Sequence, residues 1–295
     1  MNNRRHRNPA ALSSIFVETS QAKYAFTRIN ELMEDGWQED YCMGLLLLGP
    51  NRAGKTRLVR HFIEAWLGDR YKDRSVPPIV WVEVPPGCSL KSFATEVLRA
   101  LHDPAPEYAP QPDRTSRIAA AVQRHDVQLL VIDEIQRLID ADTDKIKETV
   151  AIWVSGLLNR RICPLLLVGE EKASKVFANQ KHLEGRVLGQ VDVLPFDWAD
   201  RDQRREFAAI LYHIDAQLGL DDLSDLGSLR TAQRIHEFSE GLLGQAARLI
   251  GQARTIARRL GRPKITDDVL AQAVDELRVG AGRKVPNPFR SKEAA

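Results

Sequence analysis

The chain has 295 residues, enough for one large domain or two smaller ones, and its hydrophobic content of 43% is ordinary for a protein that buries a core. A net charge of +2 excludes a basic polyelectrolyte, so any affinity for nucleic acid must come from local patches. The three cysteines are far apart without metal-ligand spacing, and no apolar run approaches the ~20 residues of a membrane helix. We therefore expect a cytoplasmic protein with no membrane contact.

The chain begins with a basic segment. We expect a flexible tail over residues 1–11, whose basic residues at positions 4–7 could contact nucleic-acid phosphates or simply be solvated. A short apolar segment at 15–17 precedes a predicted helix that runs through Met33.

A glycine-rich loop between a strand and a helix is the strongest local signal. Residues 44–48 predict a buried strand, and residues 57–67 space their apolar side chains as an amphipathic helix does. The sequence between them matches G-x-x-x-x-G-K-[ST], the phosphate-binding P-loop, in which backbone N–H groups and a helix N-terminus favour an anion. We predict a nucleotide site formed by Gly49, Pro50, Asn51, Arg52, Ala53, Gly54, Lys55 and Thr56.

The P-loop assigns chemistry to two of these side chains. Lys55 is expected to reach the β- and γ-phosphates of ATP, and Thr56 to hold Mg²⁺. Ile15 and Phe16, shortly before the P-loop strand, could line an adenine pocket or equally well serve as packing.

The next segment predicts a strand, two helices and a loop between them. Residues 79–84 are expected to form the second strand, and Ser89 can cap a helix that runs to about Leu101. A proline-rich loop follows at 103–112, and Asp113 can cap the next helix.

Two carboxylates at the end of an apolar run are the second strong signal. Residues 129–132 predict a buried parallel strand, and Asp133 and Glu134 follow at the end where α/β sheets bind their ligands. Such a pair fits a Walker B motif, in which Asp133 orients Mg²⁺ and Glu134 polarises the attacking water. The alternative is a strand followed by a helix whose first turn favours acidic residues.

The remaining elements define the fold class. Residues 165–168 and 190–194 predict a fourth and a fifth strand, and residues beyond 196 predict helices alone, at 201–218, 229–239, 243–260 and 267–277. We expect an α/β fold, a P-loop core with a five-stranded parallel sheet followed by a small helical lid subdomain. The predicted domains are a core over 12–195, a lid over 196–279 and a flexible tail over 280–295.

The combination of a P-loop, an Asp-Glu Walker B motif and a helical lid resembles the AAA+ ATPases. The flanks of the motifs are similar to those of the TniB/TnsC ATPases of DNA transposition. The similar segments are residues 44–56, the strand into Val84-Pro85-Pro86, the run 129–136, the run 165–169 and the late Val193-Leu194-Pro195-Phe196. The resemblance covers about residues 12–280.

This resemblance implies further site residues. Arg186 occupies the place of the arginine finger, which reaches the γ-phosphate of a neighbouring subunit, although it could be a surface arginine. Arg248, after a glycine turn in the lid, matches sensor 2. Glu170 stands where sensor 1 is normally Asn or Thr, and its negative charge would be repelled by the γ-phosphate.

Two groups of side chains are candidates for DNA contact. Arg254 and Arg258 lie four residues apart in a lid span without acidic residues, and could form a phosphate-tracking stripe or a solvated face. The resemblance implies contacts from the core as well, for which the candidates are Lys91, Arg114, Thr115 and Arg117. Such contacts would be to the DNA backbone, without reading of base sequence.

The leading hypothesis is an ATP-dependent regulator of transposition. The resemblance implies that it assembles with ATP and Mg²⁺ on duplex DNA, as a ring or helical filament, and links a TniQ-type target-selection protein to a transposase. Hydrolysis would dismantle the assembly. Turnover would be slow without a partner, because an arginine from a second subunit must first be positioned.

Two other functions compete with it. One is a replication-initiator or helicase-loader ATPase, although such proteins often carry a winged-helix domain after the lid, for which only about 15 loose residues remain here. The other is a signalling switch ATPase or nucleotide-sensing interaction module, a class that usually appends long repeat arrays, which this sequence lacks.

Overall fold

The structure, a computed structural model, describes residues 15–108, 111–139, 144–178, 183, 185–278 and 286–290. They fall into two compact units. An α/β unit contains residues 20–51 and the described part of 55–193. A helical unit contains residues 15–19, 52–54 and the described residues from 194 onwards. The predicted basic tail, residues 1–11, lies outside the described residues.

One parallel sheet organises the α/β unit, with its five strands in the order β2-β3-β4-β1-β5. The strands are β1 (Gly44–Leu48), β2 (Ile79–Glu83), β3 (Leu129–Asp133), β4 (Leu165–Gly169) and β5 (Val187–Asp192). Every pairing between them is parallel. This confirms the predicted five-stranded parallel sheet, and it places all five carboxyl ends at one edge, where such sheets bind ligands.

Hydrophobic composition separates the inner strands from the edge strands. β1, β3 and β4 are runs of Leu, Val and Ile whose residues are all buried, as expected of strands covered on both faces. β2 and β5 lie at the edges and carry exposed side chains. Arg28 covers part of the β5 edge, because its Nη2 donates to the carbonyl of Leu188 at 2.7 Å.

Helices connect the strands of the sheet, in the chain segments where amphipathic spacing predicts them. The Ser89 cap is confirmed, since its Oγ accepts a hydrogen bond from the N–H of Ser92 at 3.2 Å. The helices of this unit are α1 (Ser20–Asp35), α2 (Lys55–Leu67), α3 (Leu90–Ala100), α4 (Gln111–His125), α5 (Asp144–Asn159) and α6 (Lys172–Ala178), with a short 3₁₀ helix at Ile135–Leu138.

The starts of β5 and α4 differ from the prediction. β5 begins at Val187, three residues before the predicted start, and its register against β1 shifts where Gly189 adopts a φ of +121°. This bulge interrupts the regular side-chain alternation that identifies a strand in sequence. α4 begins at Gln111, so Asp113 lies within its first turn instead of capping it. Pro112 is tolerated there because the first turn needs no N–H donor.

The described part of the helical unit contains four helices. They are α7 (Arg201–Asp215), α8 (Leu229–Ser239), α9 (Leu243–Arg259) and α10 (Asp267–Arg278). α7 ends before the predicted residue 218, because the buried carboxylate of Asp215 accepts hydrogen bonds from the N–H groups of Ser224 and Leu226 and folds the chain back. In the described part of the chain, no helix has the length and apolarity needed to cross a membrane.

Residues 286–290, expected as part of a loose tail, pack onto the helical unit. Phe289 is 5% exposed in its core, and the Arg234 guanidinium lies 4.7 Å from the Phe289 ring centroid. Arg234 also donates to the carbonyl of Pro288 at 2.7 Å, and Asn287 donates to the carbonyl of Ala271 at 2.8 Å. An aromatic anchor and paired polar groups therefore order a segment whose composition suggests a tail.

We predict that Phe289→Ala destabilises the helical unit by about 3–5 kcal/mol, the usual cost of truncating a buried aromatic side chain. Hydrogen exchange of peptides from α8 and α10 should speed up accordingly. Leu229→Ala is the control, since that side chain is 60% exposed and its loss should change stability by less than about 0.5 kcal/mol. Equal exchange in both variants would contradict this packing role.

Candidate active site

The P-loop lysine is held beneath its own loop. Lys55 begins α2 and is 6% exposed, and its Nζ donates to the carbonyls of Gly49 and Pro50, both at 2.9 Å. An ammonium group has three donors, so these two bonds orient it and leave one for a phosphate oxygen.

Two glycines of the loop serve different purposes. A Cβ on Gly49 would lie 2.2 Å from the carbonyl oxygen of Val193, so its glycine is required by the close approach of the chain after β5. Gly54 has a φ of +103°, and a Cβ added there would meet no atom within 4 Å. Among the described residues the space beside Gly54 is therefore open, and glycine is favoured there by its positive φ.

A hydrogen bond joins the two predicted metal ligands across 77 positions of sequence. Thr56 Oγ1 donates to Asp133 Oδ2 at 2.8 Å, and Asp133 Oδ1 accepts from the N–H of Glu134 at 2.9 Å. A hydroxyl and a carboxylate side by side are hard oxygen donors of the kind that Mg²⁺ prefers, so these residues fit the ion.

Burial shifts the pKa values of the central charged pair in opposite directions. Desolvation lowers the pKa of Lys55, although the nearby carboxylates of Glu134, Asp133 and Glu170 oppose the shift. Desolvation raises the pKa of Asp133, which is 1% exposed, against the opposing hydrogen bonds from Thr56 and the Glu134 N–H. Both ionised forms are therefore less stable than in water, and a phosphate beside Lys55 or a cation beside Asp133 would favour them.

Glu134 leaves the sheet in a left-handed conformation, with φ of +59° and ψ of +36°. Gln136 Nε2 donates to Glu134 Oε2 at 2.5 Å, and the Arg137 guanidinium lies 3.5 Å from the same oxygen. Arg137 itself is anchored at the end of β2, where it donates to Glu83 Oε1 at 2.8 Å and to the carbonyl of Val84 at 2.6 Å.

Sequence reasoning did not find Gln136, Arg137 or Glu83 as parts of this site. One signal was present, since Gln136 is a polar residue between the apolar Ile135 and Leu138 in a segment that must be buried. Glu170, at the predicted sensor 1 position, has its carboxylate 3.4 Å from Lys172 Nζ.

Arg186 precedes β5, as its predicted finger role requires. Its backbone N–H donates to the carbonyl of Leu183 at 3.0 Å, and its own carbonyl accepts from the N–H of Gly44 at 2.8 Å. The guanidinium lies 5.3 Å from the ring centroid of Tyr41, which is cation–π geometry. Action on a neighbouring subunit stays a prediction.

The other predicted nucleotide contacts belong to the helical unit. Ile15 is 6% exposed in the core of that unit, and Phe16 is half-buried. Their place in an adenine pocket stays a prediction. Arg248 is exposed on α9, and its sensor 2 role stays a prediction. The loop tip is tied to α9, since the Gly244 N–H donates to the Arg52 carbonyl at 2.9 Å and Arg52 donates to Gln245 at 2.6 Å.

Comparison with known families decides the classification. The family described as "Bacterial TniB protein" matches residues 10–193, more than half of the chain. The chain belongs to the TniB family. No curated protein matches it in sequence.

Solved structures show the fold of this TniB-family chain. Aeropyrum pernix ORC2, solved as ADPNP-ADP complexes, is 19% identical with a TM-score of 0.65, over 91% of this chain and 69% of that one. A. pernix ORC1 in complex with DNA is 16% identical with a TM-score of 0.66, over 87% and 65%. The Thermotoga maritima RuvB Holliday junction branch migration motor is 19% identical with a TM-score of 0.52, over 90% and 71%. These likenesses confirm the predicted α/β fold.

The candidate DNA contacts of the TniB-family chain differ in accessibility. Arg114 is 4% exposed, and Arg117 is paired with Asp103. Arg254 is 8% exposed, and desolvation lowers its pKa, with a smaller contribution from Arg258. The structure therefore counts against Arg114 and Arg254 as the predicted DNA contacts, because both side chains are buried.

The remaining candidates reach the surface. Lys91 and Arg258 are exposed, and Thr115 is half-buried. Arg258 Nη2 lies 3.5 Å from the carbonyl of Gly219, a weak contact that leaves the side chain available.

We predict that Asp133→Asn stabilises the free protein at neutral pH and weakens binding of Mg²⁺ with an ATP analogue by about tenfold or more. A raised folded-state pKa means that ionised Asp133 costs stability once the pH exceeds its unfolded pKa. The neutral amide removes this cost, and the stability difference should shrink in acid, where Asp133 is itself neutral.

Thermal unfolding with and without Mg²⁺ and a non-hydrolysable ATP analogue measures both effects. The amide of Asp133→Asn can still pair with the Thr56 hydroxyl and the Glu134 N–H. Asp192→Asn is a matched control, because that carboxylate lies on the exposed part of β5. A free protein less stable than wild type at neutral pH would refute the account of Asp133.

Proposed function

We propose that this TniB-family protein is an ATPase of DNA transposition. It binds ATP with Mg²⁺, assembles on duplex DNA and links a TniQ-type target-selection protein to a transposase, and hydrolysis dismantles the assembly. One arrangement in this TniB-family chain supports the proposal. Thr56 donates to Asp133, which also accepts from the Glu134 N–H, and Lys55 is held by a carbonyl of the P-loop, all at the carboxyl edge of the parallel sheet.

The site residues divide the chemistry of ATP hydrolysis among them. Lys55 donates to the β- and γ-phosphates, and Thr56 and Asp133 hold the ion. Mg²⁺ supplies neutralisation of the charge that develops on the phosphate oxygens. Glu134 orients the attacking water and accepts its proton.

Assembly on DNA is supported by the family and by what similar folds do. A. pernix ORC1 was solved in complex with DNA, and T. maritima RuvB is a Holliday junction branch migration motor. For this chain we propose backbone contacts through exposed side chains such as Lys91 and Arg258. Arg186 would complete the site of a neighbouring subunit, so hydrolysis would depend on assembly.

A pair of variants tests the catalytic assignment. Lys55→Ala should abolish nucleotide binding and assembly, because it removes the ammonium that contacts the phosphates. Glu134→Gln should retain nucleotide binding and trap the assembled state, with kcat reduced by roughly 10²–10⁴-fold, the usual contribution of a general base. Steady-state ATPase assays and binding of a fluorescent ATP analogue separate the two. A normal hydrolysis rate in Glu134→Gln would show that Glu134 is not the base.

Electron microscopy with a non-hydrolysable ATP analogue and duplex DNA tests assembly. Rings or helical filaments that require both ligands are expected, with subunit contacts that place Arg186 against the neighbouring nucleotide. A protein that stays monomeric and does not bind DNA under these conditions would contradict the proposal.

A replication-initiator or helicase-loader ATPase is the second candidate, favoured by the fold likeness to ORC2 and ORC1. Both candidates predict ATPase activity stimulated by DNA. Co-purification with a transposase, compared with co-purification with a replicative helicase, distinguishes them.

Salt dependence tests the core-domain contact. If Lys91 neutralises one DNA phosphate, Lys91→Ala should reduce the magnitude of the negative slope by about one unit when the logarithm of the DNA-binding constant is plotted against the logarithm of the salt concentration. Lys145→Ala is a control of equal charge change on another exposed position. Fluorescence anisotropy of labelled duplex over a salt series measures both. An equal change in the two variants would assign the effect to net charge and not to a Lys91 contact.

A further inference from the structure

We propose that Gln136 is a positioning residue that ties the catalytic carboxylate of Glu134 to the end of β4. Gln136 thereby takes over the role that a neutral polar side chain at the sensor 1 position would have. This inference rests on the proposed ATPase function, since it assigns the residue that orients the base of that reaction.

The Gln136 carboxamide spans the gap between two strands of the sheet. Its Nε2 donates to Glu134 Oε2 at 2.5 Å, just after β3, and its Oε1 accepts from the N–H of Glu170 at 3.1 Å, just after β4. The side chain is 3% exposed, so water competes little for either bond.

The partners determine which way the amide points. An ionised carboxylate only accepts hydrogen bonds, so the atom beside Glu134 must be the donor Nε2. A backbone N–H only donates, so the atom beside Glu170 must be the acceptor Oε1. In the reversed orientation, Oε1 would face the Glu134 carboxylate and Nε2 would face the Glu170 N–H. Both hydrogen bonds would be lost and both contacts would be repulsive, so one orientation is strongly favoured.

The end of β4 is shaped to admit this side chain. A Cβ on Gly169 would lie 2.6 Å from Gln136 Oε1 and 2.8 Å from Ile135 Cγ2. Gly169 is not in a left-handed conformation. The absence of a side chain there therefore serves to make room for Gln136 and its 3₁₀ turn.

Charge explains why the polar group beside Glu134 is Gln136 of the 3₁₀ turn and not the side chain of Glu170. Glu170 occupies the sensor 1 position, but its carboxylate is paired with Lys172 and bears the same sign as a γ-phosphate. A neutral amide can lie beside both Glu134 and a phosphate without repulsion. Gln136 thus gives Glu134 a fixed direction, while Arg137 holds the same oxygen from the side of β2.

Gln136→Met tests the assignment, because it keeps the length of the side chain and removes both hydrogen bonds. We expect kcat with ATP, Mg²⁺ and duplex DNA to fall by about 10- to 100-fold, below the 10²–10⁴-fold contribution of a general base. KM should change by less than about threefold, because no phosphate contact is lost. Gln123→Met, the same change at an exposed position of α4, should match wild type.

Gln136→Glu adds a readout that a purely structural role would not move. The introduced carboxyl can donate to Glu134 only when protonated, so kcat should recover relative to wild type as the pH falls. Glu134 is the charged group that the residue 136 side chain contacts, and the charged groups that interact with Glu134 or its neighbours are Asp133, Lys55, Arg137, Glu83 and Glu170. Gln136→Met should show no such recovery.

The outcomes separate this inference from the proposed function. A wild-type protein without Mg²⁺-dependent ATPase activity would overturn the proposed function, and this inference with it. An active wild type with Gln136→Met within twofold in kcat would overturn the role of Gln136 alone. Should Gln136→Met fail to fold, Gln136→Glu decides, and a pH–kcat profile parallel to that of wild type would overturn the proposal.

Discussion

The contact between Thr56 and Asp133 is the interaction on which the candidate site depends. Parallel pairing of β1, β4 and β3 brings the P-loop and the Walker B strand to one edge, although 77 positions separate the two residues. The hydrogen bond then sets the hydroxyl and carboxylate at the spacing that a small hard cation accepts. Loss of this register would separate Lys55 from both acidic residues.

The ionised forms of Lys55 and Asp133 are poorly stabilised by the free protein. Lys55 and Asp133 are almost fully buried, and desolvation moves the pKa of each towards its neutral form. Residues that bind phosphate and metal are commonly under this tension, because preorganised, partly dehydrated charges attract a charged ligand more strongly than hydrated ones do. Burial of ionised Lys55 and Asp133 opposes folding of the free protein, and a bound phosphate or cation of the proposed kind would offset this cost by linkage.

The polar network around Glu134 extends the site beyond the two Walker motifs. Gln136 and Arg137 reach the same carboxylate oxygen from the sides of β4 and β2. If Glu134 is the base, as proposed, a carboxylate held from two directions needs little reorganisation when it acts, which is how preorganisation lowers a barrier. The arrangement also connects the geometry of the base to the packing of the strands on either side of it.

The sequence by itself determined the sheet, most helix positions and the Walker residues, because hydrophobic runs, caps and the P-loop spacing are local signals. Only the tertiary structure decided which polar side chains meet. The hydrogen bond that the Glu170 N–H donates to Gln136 and the anchoring of Phe289 by Arg234 join residues far apart in the chain, and the burial of Arg114 and Arg254 is visible only in the folded structure. Long-range packing selects such contacts by burial and by satisfying hydrogen bonds, and neither quantity is a property of a short segment.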